Sequence, residues 1–479
     1  MRAVRLANPK SITIEGGANG TGGEDGIWGP PSATPSQVFI DPNAESANDR
    51  FKTQGEFVIG VSSPAFTGYT RKCFVMLASP DGLNWHLYKG QNLTSAFEAA
   101  TSPKSPHTVS CWVPGSIDTQ TNILFDPASQ RYHMYLRGRR GPAVGGGTVD
   151  RSTDTRLGTY RSHRRLTSSN ESILWGEDVH EHQGIGWVDA ETVLDVDAVD
   201  NETHSVNRNR SATAQKIPPS DFYGFTPWKV PGTGPDFLLG FAMKFWHWGL
   251  GPCRAYDPAD KAPNFCGPGT YSVHLMASYD GGSTWVYIGG RRALLGTGLD
   301  GTFASRHVWI GPTPAEVGDE LFVFFGGTNI PEGSNATCGK TLTCVDPASP
   351  GGKQQSGMGL ITTRIDGLSS ATVGYAEVGE LVTRPINITA ERRLQLNADC
   401  GGHGALHVEL LSADGAALPC YGLAQSMPFW SNAVAATVRW SGEGGAACEG
   451  ARQGTIAAGQ QLQVRFVIED CDLFSIRLV

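Results

Sequence analysis

The stretch SYDGGSTW, Ser278 to Trp285, constrains this chain more than any other. Apolar residues alternate into it (Val273, Leu275, Ala277) and resume beyond it (Trp285, Tyr287), the pattern of two strands joined by a tight turn. Ser278 and Asp280 can hydrogen-bond the turn's own backbone, the glycines permit a positive φ, and Trp285 can pack back over the bend. Degraded copies recur as SPDGLNW (Ser79 to Trp85), SNESILW (Ser169 to Trp175) and RIDG (Arg364 to Gly367). With Asp81, Glu171, Asp280 and Asp366 as markers, the copies lie 90, 109 and 86 residues apart. A hairpin pattern precedes each: VFIDPN with FKTQGEFVIG, ILFDPA with RYHMYLRG, WKVPGTGPD with FLLGFAMKFW, and WIGPTPAEVGDE with LFVFFGG. Four copies of one β-unit at a long, roughly regular period predict a β-propeller rather than a sandwich.

Composition agrees. Sixty-one glycines and 29 prolines in 479 residues suit many short strands joined by tight turns. A net charge of −8 offers no electrostatic basis for a nucleic-acid partner, and no apolar run is long enough to span a membrane. The ten cysteines lack the paired spacing of a zinc site and read as disulfides, with Cys253 to Cys266 and Cys338 to Cys344 closing short loops. Seven Asn-x-Ser/Thr triplets (Asn19, Asn92, Asn170, Asn201, Asn209, Asn335, Asn387) fit a protein made in the secretory pathway. The first residues, MRAVRLANPKSITIEGG, show no apolar segment of the signal-peptide kind.

Along the chain, residues 1–30 are Gly-rich and carry one strand-like piece, SITIEGG; they read as a remnant or closing segment. The β-units occupy 31–378, interrupted by long polar insertions at 141–160, 176–215 and 251–268. From 379 to 479 the period changes to short alternating strands such as ALHVELLSADG and LQVRFVIEDCDLFSIRLV, which predict a separate antiparallel β-sandwich. Cys400, Cys420, Cys448 and Cys471 all fall in it and can pair among themselves.

The Ser278–Trp285 turn resembles the Asp-box of sialidase-type propellers, Ser-x-Asp-x-Gly-x-Thr-Trp, with every position filled. A sialidase also needs an N-terminal Arg-Ile-Pro segment, which this sequence lacks. Taken together, PSQVFIDPNAESANDRFK, SPDGLNWHLY, IDTQTNILFDPASQRYHMYLRG, DFYGFTPWKV, VHLMASYDGGSTW, GDELFVFFGG and MGLITTRIDGLSSATVGYAEVGELVTRPI resemble, in order, the glycoside-hydrolase-like five-bladed propeller proteins related to glycoside hydrolase families 32 and 43. LNADCGGHGALHVELLSADG and FVIEDCDLFSIRL resemble the C-terminal β-sandwich of those proteins. The resemblance implies an all-β chain, a five-bladed-type propeller with four units visible followed by a sandwich, and a carbohydrate ligand. It also implies a further unit ahead of Met1, so that the N-terminus is expected to be incomplete. In the fourth unit, GTFASRHVW places Ala304 where relatives carry an aspartate.

A propeller gathers the heads of its innermost strands into one funnel, and glycoside hydrolysis needs two carboxyl groups there, one protonated and one ionised. Asp118, opening DTQTNILF, reads as base or nucleophile; Asp221, opening DFYGFTPW, as an orienting or pKa-tuning acid; Glu191, in WVDAETVLDVD, as the general acid. Asp118 and Asp221 equally suit a turn-capping role, and Glu191 a loop carboxylate. Asp41 and Asp126, each followed by proline, read as hairpin-turn residues. Tyr223, Trp228, Trp246 and His247 offer stacking and polar contacts to a sugar, and Arg137 and Arg306 offer guanidinium forks. Arg137 belongs to a crowd with Arg139, Arg140, Arg161, Arg164 and Arg165 that suits carboxylated or sulfated sugars, or a solvated strand face.

No cofactor is required. Asp195 and Asp197 share a face, with Asp200 joining if the chain bends, so calcium is one option and a solvated strand the other. His180 and His182 flank Glu181 in a loop. The expectation is therefore a secreted or cell-surface carbohydrate-active protein, probed as a glycoside hydrolase or, alternatively, a non-catalytic glycan-binding or surface-structural propeller. Nothing in the sequence sets the sugar or the oligomeric state.

Overall fold

The computed structural model describes residues 2–6, 38–60, 70–87, 122–140, 160–168, 191–197, 199–200, 220–247, 269–299, 301–311, 313–329, 356–441 and 444–479. Asp118, His180–His182, the turn at 169–175, SITIEGG, Cys253, Cys266, Cys338 and Cys344 lie outside these residues, as does every glycosylation triplet except the exposed Asn387.

Nearly all of the regular structure is strand. β1 (Arg2–Leu6) belongs to the fourth sheet, described last. β2 (Phe39–Ile40), β3 (Phe51–Gly60), β4 (Thr70–Ser79) and β5 (His86–Leu87) make the first antiparallel sheet; β6 (Asn122–Asp126), β7 (Arg131–Arg140), β8 (Tyr160–Ser168) and β9 (Glu191–Leu194) make the second. β10 (Ser220–Trp228), β11 (Leu238–His247), β12 (Gly269–Ser278) and β13 (Val286–Tyr287) make the third, with β14 (Ala293–Leu295) also on β12. The fourth contains β15 (His307–Ile310), β16 (Ala315–Val317), β17 (Glu320–Thr328) and β18 (Ser356–Arg364), in the order β1-β18-β17-β15 with β16 on β17. These are four blades of a β-propeller, each an up-and-down meander whose first strand sits at the inner edge.

Two compact units divide the chain: Ala3–Pro314 with Val323–Ile361, and Met1–Arg2 with Ala315–Phe322 and Thr362–Val479. In the first, the turn at Ser278–Trp285 has the geometry its residues dictate. Asp280 Oδ1 accepts from the backbone N–H of Ser283 (3.0 Å) and Thr284 (2.9 Å), Ser278 Oγ accepts from Gly282 N–H (2.8 Å), and the Trp285 indole donates to Gly282 O (3.0 Å). Burial opposes the charge on Asp280, but the Thr284 hydroxyl and these N–H groups hold its pKa below the usual value. The turn at Ser79–Trp85 repeats this bond for bond, with the Asn84 amide donating to Asp81 Oδ2 (2.8 Å) where the Thr284 hydroxyl donates to Asp280 Oδ2 (2.6 Å).

Gly282, at φ +91°, has no substitute: a Cβ there would lie 2.0 Å from the Tyr135 hydroxyl of the neighbouring blade. The two blades meet through Tyr135, Phe225 and Trp285, whose rings pack edge to face at 4.7–6.3 Å. Asp280→Ala should therefore cost about 1–2 kcal/mol, toward the low end because the turn faces water. Urea denaturation of the variant beside Asp366→Ala tests this, and an Asp280→Ala midpoint equal to wild type would remove the turn from the account of the fold.

Asp126 is a turn residue as expected, accepting from the N–H groups of Ala128 and Ser129 at 3.1 Å. Asp41 does more than turn the chain. Besides Asn43 N–H (2.9 Å), its buried carboxylate takes the Lys52 ammonium (2.5 Å) and the Tyr132 hydroxyl (2.7 Å), tying the first blade to the second.

In the second unit, β19 (Ala371–Val382), β20 (Ile386–Ile388), β21 (Arg392–Asp399), β22 (Ala405–Ser412), β23 (Asn432–Thr437), β24 (Thr455–Ile456) and β25 (Gln460–Leu478) form one connected sheet around a single apolar core. β25 makes this possible. Its first half pairs with β22 and β19 and its last part with β21, so the strand passes from one layer of a sandwich to the other. The burial parity records the crossing: Leu462, Val464, Phe466 and Ile468 point inward, then Cys471 and Leu473, with Asp470 at φ 46° absorbing the extra residue. Disulfides Cys400–Cys471 and Cys420–Cys448 close within this unit. The sandwich strands begin at Ala371, within the stretch that the sequence reading assigns to the propeller. Asp366 also departs from its expected part as a turn marker. At φ 57° it accepts from Ser475 Oγ (2.6 Å) and Arg477 (2.9 Å), while the turn closes on Gly367 N–H to Arg364 O (2.9 Å).

Candidate functional site

Side chains from three blades converge at the head of β10. Asp221 is buried (1 % exposed) and its Oδ2 accepts from both the backbone N–H and the Nη1 of Arg161, each at 3.1 Å. Burial disfavours the charge on Arg161, yet the Asp221 carboxylate lifts its pKa above the ordinary value, so the guanidinium is held charged. The geometry makes Asp221 the charged partner of Arg161, bonded to both its main chain and its guanidinium.

A β-bulge shapes the wall beside it. The β10–β11 register slips between Phe222 and Gly224, leaving Tyr223 as the extra residue. Bulges re-aim side chains. Here the phenol ring ends up with the guanidinium of Arg137 5.2 Å and that of Arg161 5.0 Å from its centroid, and 4.6 Å from the ring of Tyr271. Phe245 closes against Tyr223, Tyr271 and Arg161, and Tyr271 stacks on His307 of the fourth blade at 4.3 Å and 13°. Behind the cluster, His163 is fully buried beside Phe225; burial, then the charge of Arg137, push its pKa down to about 3, so the imidazole is neutral.

Of the residues singled out in the sequence, Asp221, Tyr223 and Arg137 come together here. Glu191 does not. It heads β9, the outermost strand of its blade, where its Oε2 is 2.7 Å from Arg165 Nη2. Arg165 also donates to Gly281 O (2.9 Å) and Ser283 Oγ (2.7 Å), so Glu191 serves a tie between blades, not the funnel. Trp228 is at the opposite end of β10 from Asp221, buried and stacked on Phe241 at 6.4 Å. Arg306 is half-buried, its Nη1 on Ser305 O (3.0 Å), and His247 ends β11 with its backbone paired to Gly269. Ala304 precedes the fourth inner strand by three residues and is buried; the residue that opens that strand is His307.

Tyr271 and His307 escaped sequence reasoning as site residues. His307 had a signal: counting back along the alternating pair Val308 and Ile310 puts the strand head at 307 rather than 304. Tyr271 had none, because its place depends on the register of β12 against β11.

The acidic group after β9 resolves differently from a calcium loop. The chain bends, as the third carboxylate required, and Asp197 and Asp200 bond each other's backbone (Asp200 N–H to Asp197 Oδ1, 3.0 Å). Their counter-ions are side chains: Lys244 on Asp200, and Arg291 on both Asp197 and Asp200. Asp195 Oδ1 accepts from Val196 N–H (2.8 Å). A divalent cation would meet two resident positive charges, and among the described residues no cluster of three His, Cys, Asp or Glu side chains could hold a metal.

No protein-family profile matches the chain, and neither does any curated protein sequence. Among solved structures, the chain is similar to a glycoside hydrolase family 43 arabinoxylan arabinofuranohydrolase from Bacillus subtilis in complex with cellotetraose, at 14% identity over 97% of this chain and 83% of that one, TM-score 0.29. It is similar also to an exo-inulinase from Aspergillus awamori (9% identity, 93% of this chain and 95% of that one, TM-score 0.24). A third likeness is to an exo-beta-1,3-galactanase from Phanerochaete chrysosporium with galactose (7% identity, 93% and 95%, TM-score 0.24).

Proposed function

We propose that this chain is a secreted, carbohydrate-active propeller protein that takes a plant, algal or microbial glycan at the heads of its inner strands. One observation carries the reading: a buried carboxylate paired with Arg161, standing beside a wall of aromatic rings from two blades. Aromatic faces match the apolar faces of sugar rings, and a buried, oriented carboxylate suits hydroxyl groups or developing positive charge. The two disulfides of the C-terminal unit and the exposed Asn387 triplet support passage through an oxidising compartment. No helix among the described residues is long and apolar enough to cross a membrane.

In the catalytic form of this reading the reaction is glycoside hydrolysis. Asp118 acts as base or nucleophile and Asp221 orients the sugar and tunes the pKa of its neighbours. Asp118→Asn should abolish release of reducing ends on any glycan the wild type cleaves, with an unchanged melting temperature; retained turnover removes Asp118 from the reaction.

A second reading has its own support. Glu191 is committed to Arg165 on an outer strand, and the fourth unit has Ala304 at the position where relatives carry an aspartate, its inner strand opening with His307, so the described residues supply one carboxylate, Asp221, to the cluster. Binding survives the loss of a catalytic acid far better than turnover does. A glycan array read beside a reducing-end assay on the same panel separates the two: binding without release is the outcome for a glycan-binding propeller, release at enzymatic rates the outcome for a hydrolase.

A further inference from the structure

On the other face of β11 from Phe245, a polar network ends in a tryptophan. Lys244 and Trp246 project together, and the register sets Ser272 of β12 opposite Lys244 and His274 opposite Ala242. The Trp246 Nε1–H donates to Ser272 Oγ at 2.6 Å, and Ser272 Oγ lies 2.8 Å from His274 Nε2. The serine oxygen thus accepts from the indole and shares a second hydrogen bond with His274 Nε2, whose direction is set by the imidazole tautomer. Burial, with the charge of Lys244 beside it, keeps His274 neutral well below pH 6.

The back of the indole is occupied. Lys244 Nζ sits 4.6 Å from the Trp246 ring centroid and is ion-paired to the buried Asp200, whose carboxylate also takes the Tyr287 hydroxyl (3.2 Å) and Arg291 Nη1 (3.1 Å). Lys244 and Asp200 are each 3 % exposed or less, so the anchor lies in the interior. A buried ion pair gains little stability over an apolar pair of the same size. What it does here is fix a ring: the indole is held by its N–H and by a cation on one side, while Trp246 itself remains partly exposed. A preorganised aromatic face loses little entropy when a ligand settles on it.

We propose that Trp246 is the stacking platform of a glycan subsite on the third blade, taking the apolar face of a pyranose ring, and that Ser272 and His274 are its positioning residues. The proposal rests on the carbohydrate reading above. It commits that reading to one residue and to a mechanism of preorganisation.

The test uses the full chain and a panel of neutral tetrasaccharides built from gluco-, xylo-, arabino-, galacto- and fructo-configured units, with binding followed by titration calorimetry and by the indole N–H resonance of Trp246. In the free protein that resonance should exchange slowly with solvent, and a bound tetrasaccharide should shift it. Trp246→Ala should weaken binding about tenfold or more, and Trp246→Phe, which keeps a ring but not the N–H, should weaken it by less. Ser272→Ala should weaken binding roughly threefold or more and speed exchange of the indole proton, while His274→Gln, which retains an acceptor, should restore most of the affinity lost in His274→Ala. If Trp246→Ala binds as wild type does, the platform is wrong although the protein still binds glycans. Wild-type affinity in Ser272→Ala and His274→Ala overturns the positioning role. Failure of the wild type to bind any member of the panel overturns both the subsite and the reading beneath it.

Discussion

Asp221→Ala is expected to destabilise the propeller by about 3–5 kcal/mol, because it leaves the Arg161 guanidinium buried without its carboxylate. The loss is large for a structural reason. Side-chain exposure is 9 % for Arg161 and 2 % for Asp221, so water cannot replace the lost partner. Asp221→Asn keeps the shape and one acceptor but still strands a positive charge, so most of the cost should persist. Arg161→Met in the Asp221→Ala background removes the stranded charge and should recover much of the stability. Wild type, Asp221→Ala, Arg161→Met and the double variant form a double-mutant cycle, read from the unfolding transition of the propeller in urea. A favourable coupling of several kcal/mol is the expected result. If Asp221→Ala unfolds at the wild-type urea concentration, the pair does not hold the head of β10.

Acid should loosen the same region well before it protonates carboxylates in general. Burial lowers the pKa of His163 to about 3 and those of His133 and His274 to about 4 each, against 6.5 for an ordinary imidazole. The unfolded chain therefore takes up protons that the folded chain refuses, and stability rises with pH wherever that holds. These three groups contribute fully above about pH 6.5, and their contribution falls away between pH 6.5 and the folded values of about 4 and 3. Asp126, Asp197 and Asp280, whose pKa values are lowered from 3.8, act in the same direction but only at lower pH.

For His163, which has no exposed surface, a shift of this size corresponds to roughly 3–5 kcal/mol lost on acidification. His163→Gln should therefore lower stability at neutral pH yet make the acid limb shallower by about 1.4 kcal/mol per pH unit in the window where only the unfolded imidazole titrates. Urea midpoints from pH 4.5 to 8 measure both. A wild-type stability that is flat down to pH 4.5 would mean that His163 finds a proton acceptor in the folded chain.

The sequence by itself determined what is settled within a few residues. The turns at 79–85 and 278–285 were legible because each bond in them joins neighbours in the chain, so Asn84 could replace a threonine and still donate to the same carboxylate oxygen. The propeller followed from their repetition. The crossing of β25 between two layers is written in its alternation, which changes parity at Asp470. The Asp366 turn failed as a marker for the converse reason: its partners, Ser475 and Arg477, are more than 100 residues away, and nothing near Asp366 announces them.

Only the tertiary structure decided which partner each carboxylate takes and on which strand of its blade it stands. Asp221 and Glu191 look alike in sequence, each at a strand head, yet one heads an inner-edge strand with Arg161 folded onto it and the other heads an outer strand held by Arg165. Asp200 was read as a possible cation ligand and is instead the buried counter-ion of Lys244, 44 residues on. Tyr223 faces two guanidiniums because a bulge shifts the register of β10 by one residue, and a one-residue shift sends a side chain to the opposite face. Strand order and register are properties of paired strands, set by long-range packing, and a single strand's residues do not encode them.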